Sequence, residues 1–119
     1  MRILVTTYPF SEKIENHEVI FNSKKSKYTQ NEIDNLLVKF QPEIIIAGTE
    51  KYDLKQLDLC TSLKMISRVG VGTSSINLDE CNARNISVAI TADAPTNSVA
   101  ELTIANILIL LKRLNHQDM

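Results

Sequence analysis

The stretch Arg68-Val69-Gly70-Val71-Gly72 is where residue type and spacing best suit chemistry. Glycines let backbone amides approach an anion with no Cβ in the way. An arginine two residues upstream adds a planar fork that fits a carboxylate or a phosphate with two hydrogen bonds. The chemistry would be anion binding, by Arg68, Gly70, Val71 and Gly72. On residue types alone an ordinary tight turn with Arg68 in solvent accounts for the stretch as well, and both readings stay open. Other chemistries find no support. Gly-Val-Gly is not a dinucleotide fingerprint, because no third glycine follows at the required spacing. His17 and His116 have no partner at dyad spacing, and no Gly-x-Ser-x-Gly occurs. Cys60 and Cys81 are far apart, with neither zinc-ligand nor disulfide-framework spacing. Where a phosphoacceptor domain needs paired carboxylates after its first strand, this chain has Thr6 and Thr7.

The elements that would position the glycine loop alternate between strand and helix, the pattern of a parallel sheet covered by helices. Ile3-Leu4-Val5 predicts a buried first strand and Val19-Ile20-Phe21 a second, with at most a short helix over 11–16 between them. Thr29 and Glu32 have capping-box spacing, and Ile33, Leu36, Leu37 and Phe40 then fall on one helical face up to Pro42. Glu43-Ile44-Ile45-Ile46-Ala47 reads as a strand buried on both faces. Leu54, Leu57 and Leu59 suggest a short helix, residues 64–69 a strand that ends at the glycine loop, and Asn77 the cap of a further helix. Asn85 suits a left-handed helix end, and Ile86-Ser87-Val88-Ala89-Ile90 gives the last strand. Ligands of open α/β sheets bind outside the carboxyl ends of such strands, which is where the loop would sit. From Ser98 to about Leu114 runs a long C-terminal helix with apolar residues all round its axis, so burial on most sides is expected. Glu101, Asn106, Lys112 and Arg113 interrupt it, which argues against a membrane span.

A net charge of −1 argues against a nucleic-acid or anionic-membrane partner, which would want a basic face. Lys24, Lys25 and Lys27 cluster, but as a solvated loop. The two cysteines, placed in expected helices, read as small buried hydrophobes. With no signal peptide at the N-terminus, the expected compartment is the cytoplasm.

Four segments together resemble the D-isomer-specific 2-hydroxyacid dehydrogenases, above all the phosphoglycerate dehydrogenase branch. They are Ile46-Ala47-Gly48-Thr49-Glu50, residues 63–72, Ile76-Asn77-Leu78, and Asn97-Ser98-Val99-Ala100-Glu101-Leu102-Thr103-Ile104. The resemblance implies a flavodoxin-like open parallel sheet with flanking helices for residues 1–97, the N-terminal part of a substrate domain. Residues 98–119 then match a helix that leads into a nucleotide-binding domain. The resemblance further implies that backbone amides of Gly70, Val71 and Gly72 hold a substrate carboxylate, that Val71 lies close to the nicotinamide, and that Arg68 stands near the substrate's anionic end. This chain departs from the family in having Ser74-Ser75 for Asp-Asn, Ala92-Asp93 for Pro-Gly, and Pro95 for an asparagine near the substrate.

In this family the dinucleotide loop and the catalytic arginine, glutamate and histidine lie beyond the matched segments. The expectation is therefore a truncated NAD-dependent dehydrogenase that takes a small anionic hydroxyacid, with NAD held only in the full-length protein and no activity from this chain alone. The alternative is a non-catalytic dimerisation or anion-binding module derived from the family, and an unrelated flavodoxin-like anion-binding domain is a third reading. A homo-oligomer through residues 98–114 is expected in either of the first two cases.

Overall fold

Alternation of β-branched runs with capped amphipathic segments produces a sheet flanked by helices. A computed structural model describes residues 1–70, 72–90 and 96–112, without the side chains of 96–100 and 112. The elements are β1 (Arg2–Val5), β2 (Glu18–Ile20), α1 (Gln30–Phe40), β3 (Ile44–Ala47), α2 (Leu54–Leu59), β4 (Met65–Arg68), α3 (Leu78–Ala83), β5 (Ser87–Ile90) and α4 (Thr96–Lys112). The five strands form one sheet in the order β2-β1-β3-β4-β5, every neighbouring pair parallel. The order reverses between β1 and β3, so the crevice of a doubly wound sheet opens at their carboxyl ends.

Period-two alternation divides the core into two layers. Leu4, Ile45, Ala47 and Ile66 face one way and pack with Ile33 and Leu37 of α1, Leu57 of α2 and Cys81 of α3. Ile3, Val5, Ile44, Ile46 and Met65 face the other way and meet Ile107 of α4, with Phe10 and Ile14 at the margin. Each wholly buried isoleucine of β3 contributes about 1.5–3 kcal/mol relative to exposure.

Local chemistry sets the helix ends. Thr29 accepts the Glu32 amide and Glu32 reaches back to the Thr29 amide, both halves of the expected capping box. Asn77 accepts the Glu80 amide. At the end of α3 Asn85 is left-handed, and the amides of Asn85 and Ile86 reach back to Asn82 and Cys81, a Schellman closure.

Residues 11–16, where at most a short helix was expected, form none. The structure corrects two expectations. Cys60 caps the end of α2 rather than lying within a helix. The expected long apolar helix, buried on most sides, is not found in that form. α4 carries Glu101, Thr103 and Asn106, and buries a single stripe, with Ile107 3% exposed against 47% for the adjacent Leu108. Leu102, Leu108 and Ile109 remain exposed on it. Among the described residues no helix is long and apolar enough to cross a membrane.

Candidate functional site

β4 ends at Arg68, paired in register with Ala47, the last residue of β3. The Val69 amide still donates to the Ala47 carbonyl at 2.9 Å, and the chain then leaves the sheet at Gly70. Gly70 has φ 145°, a backbone region that side chains rarely adopt. A Cβ there would also collide with the Arg68 guanidinium, whose Cζ stands 3.0 Å from the position. Arg68 therefore curls over the glycine backbone, with Nη1 donating to the Val69 carbonyl, and does not extend into solvent as in an ordinary turn. Its Nε is buried without a hydrogen-bond partner, as is the hydroxyl of Ser67 beside it. A buried donor without an acceptor costs about 1–3 kcal/mol, so a nearby anion would relieve a standing penalty. Gly72 is exposed, with open space where a Cβ would stand. Arg68 and Gly70 are thus brought into contact, and Gly72 follows two residues on. Val71 lies outside the described residues, as do Ala92, Asp93, Pro95 and His116.

A second cluster, which residue spacing does not announce, stands at the crevice between β1 and β3. Glu50 Oε1 accepts the Gly48 amide at 3.0 Å and the Tyr52 hydroxyl at 2.7 Å. The Thr6 hydroxyl, just past β1, also donates to it, across 44 residues of sequence. Gly48 makes room for this: a Cβ there would lie 3.0 Å from Glu50 Oε2. Asn22, after β2, completes the edge by donating Nδ2 to the Thr6 carbonyl at 2.9 Å and to the Ser26 carbonyl at 2.8 Å. Tyr52 is wholly inside, and burial, with the nearby Glu50 charge, pushes its hydroxyl well above the usual tyrosine range.

Tyr52 also reaches the loop beyond Gly72. Its amide donates to the Ser75 carbonyl at 2.8 Å, and the Asn77 amide donates to the Tyr52 carbonyl at 2.9 Å. Asn77 Nδ2 donates to Asp53 Oδ1 at 2.9 Å. That bond, with the Leu54 amide, holds the Asp53 carboxyl below its usual range.

The remaining candidates stand elsewhere. The His17 ring contacts the N-terminal amine at 3.1 Å, at the opposite end of β1 from the crevice. Lys24 pairs with Glu32 at 3.0 Å on the surface. Cys60 and Cys81 are buried free thiols, each pushed up by that burial. Among the described residues no three His, Cys, Asp or Glu side chains form a metal-binding group.

The chain is similar to known proteins over most of its length. The family model for the D-isomer specific 2-hydroxyacid dehydrogenase catalytic domain matches residues 5–108. A 2-ketogluconate reductase of Gluconobacter oxydans is 40% identical over 62 residues, which cover 52% of this chain and 20% of that protein. A glyoxylate reductase of Thermofilum pendens is 36% identical over 70 residues, 59% of this chain and 21% of that one. The chain thus matches about one fifth of the length of these relatives. The NAD+-bound crystal structure of 3-phosphoglycerate dehydrogenase from Entamoeba histolytica superposes with a TM-score of 0.61 at 28% identity, covering 92% of this chain and 38% of that one.

Proposed function

The chain belongs to the D-isomer specific 2-hydroxyacid dehydrogenase family, within its catalytic domain, and from that premise we propose that it supplies the substrate-carboxylate side of an NAD-dependent dehydrogenase acting on a small anionic hydroxyacid. The observation that carries the reading is the Arg68 guanidinium folded against the Gly70 backbone at the carboxyl edge of the sheet, with Nε lacking an acceptor. A carboxylate lying along this loop would accept from the Gly72 amide and draw the guanidinium off the Val69 carbonyl. Bonds between two ions would replace one bond from the guanidinium to an uncharged carbonyl.

The cofactor of such a reaction does not fit these residues. A pyrophosphate is held by a glycine-rich turn that opens a helix free of competing anions. The chain has three glycines in all, Gly48, Gly70 and Gly72. The N-termini of α1, α2 and α3 are already served by Glu32, Asp53, Asp79 and Glu80, and α4, which has no acidic residue in its first turn, has no glycine between Gly72 and its start at Thr96. What these residues do is orient and neutralise the hydroxyacid.

A 15N NMR titration with 3-phosphoglycerate tests the reading. The amides of Gly70 and Gly72 and the Arg68 Nε–H should shift together, and Arg68→Ala should shrink the response. Shifts confined to other surfaces would return the loop to the status of an ordinary turn.

One observation favours the alternative, a dimerisation module. Leu102, Leu108 and Ile109 leave an exposed apolar stripe on α4, opposite Thr103 and Ile107. A second copy of the chain is the partner proposed for it, the two-fold arrangement being the commonest.

A further inference from the structure

The segment from Gly48 to Asp53 does more than connect β3 to α2. It borders the glycine loop at both ends. At the near end the Val69 amide is held by Ala47, the residue before Gly48. At the far end Tyr52 exchanges backbone hydrogen bonds with Ser75 and Asn77, and Asp53 accepts from the Asn77 side chain. Between these ends a hydrogen bond from the Ile76 amide to the Thr73 carbonyl, 3.0 Å long, closes a turn, and Ile76 is buried. Any shift of Tyr52 therefore passes to Ser75 and Asn77 through the backbone.

Tyr52 is itself held from the crevice. Its ring is inside the core, 1% exposed, and its hydroxyl donates to Glu50. One oxygen of Glu50 collects the Gly48 amide, the Tyr52 hydroxyl and the Thr6 hydroxyl, which ties the β3 loop to the end of β1. Drawing a carboxylate inward costs desolvation that this donor set offsets. The combination, a half-buried carboxylate with converging donors whose neighbour grips the glycine loop, suits the placing of that loop better than a plain surface contact.

Resting on the carboxylate reading above, we propose that Glu50 and Tyr52 are positioning residues for the loop from Gly70 to Asn77, and so set the affinity of the hydroxyacid without touching it. Backbone donors recognise a carboxylate only when placed to within about 0.5 Å. Loss of the Glu50 carboxylate frees the β3 loop from β1, Tyr52 relaxes with it, and the far end of the glycine loop follows.

The test compares the chain with Glu50→Gln, Glu50→Ala and Tyr52→Phe, using as a control Ser62→Ala, which removes hydrogen bonds to the Gln41 and Pro42 carbonyls at the opposite, amino edge of the sheet. Two readouts are taken: the amide shifts of Gly72, Ser75 and Asn77 without ligand, and the 3-phosphoglycerate dissociation constant by NMR titration. Glu50→Ala and Tyr52→Phe should displace all three amides and weaken binding about fivefold, the worth of roughly one hydrogen bond. Glu50→Gln, which keeps an acceptor oxygen, should recover most of both. Ser62→Ala should lower stability and leave both readouts unchanged. The inference is overturned if Glu50→Ala and Tyr52→Phe lower stability only, or if Ser62→Ala weakens binding equally. Should Glu50→Ala not fold, Tyr52→Phe decides, because phenylalanine fills the same space. If the unaltered chain ignores 3-phosphoglycerate while the variants still displace the loop amides, the carboxylate reading fails and the positioning role stands.

Discussion

Tyr52 donates its hydroxyl to Glu50 at 2.7 Å from a side chain buried in the core. The phenol is thereby kept neutral, since an ionised oxygen there would be buried and would face a carboxylate. Burial is the larger cause and Glu50 the second, and both raise its pKa. A pKa higher in the folded state gives stability that is complete below the unfolded value, about 10, and is lost as pH rises above it. Urea denaturation from pH 8 to 11.5 should show stability falling above about pH 10, and Tyr52→Phe should flatten part of that fall. An unchanged pH slope in Tyr52→Phe would place the alkaline weakness elsewhere.

The glycine loop offers a paired test. Gly70→Ala puts a side chain at φ 145° and drives its Cβ into the Arg68 guanidinium, so it should cost about 1–3 kcal/mol. Gly72→Ala meets nothing within 4 Å and should stay within about 0.5 kcal/mol of the parent. Equal losses for the two would mean that the loop's backbone differs from the one described.

Asp34 supplies an acid-side prediction. Burial pushes its carboxyl up, but hydrogen bonds from Gln56 and Lys55 outweigh that and hold it below the usual aspartate range. A depressed folded pKa gives stability that is present above the unfolded value, about 3.9, and is lost as pH falls through the folded one. Asp34→Asn should cost about 1.5 kcal/mol at pH 7, the worth of a hydrogen bond to a charged group. In acid denaturation the gap between the two proteins should close below about pH 4, and a gap that persists there would deny the carboxylate its role.

Two substitutions one residue apart on α4 should behave differently. Leu108→Glu with Ile109→Glu alters the exposed stripe and should give a folded monomer by light scattering, where the parent chain should be a dimer at tens of micromolar. Ile107→Glu places a charge against the sheet core and should unfold the chain rather than dissociate it. A monomeric parent would remove the reason for a second copy on this face.

What the sequence by itself determined is what short-range chemistry decides. Thr29 with Glu32, Asn77 with Glu80, and Asn85 each name a helix end, because a cap forms between residues a turn apart whatever surrounds them. Ile44-Ile45-Ile46 names a doubly buried strand for the same kind of reason. The order of characteristic segments also identified the family. Tertiary structure alone decided the rest. Leu102, Ile107, Leu108 and Ile109 are all apolar, so no periodicity could say that Ile107 faces the sheet while the other three face out. Only the position of β1, β3 and β4 beneath α4 makes that choice. Nor does anything local in Thr6, Gly48, Glu50 or Tyr52 mark a cluster. They converge because the parallel pairing of β1 with β3 ends both strands at one edge, and a hydrogen bond across 44 residues exists only once that sheet has formed.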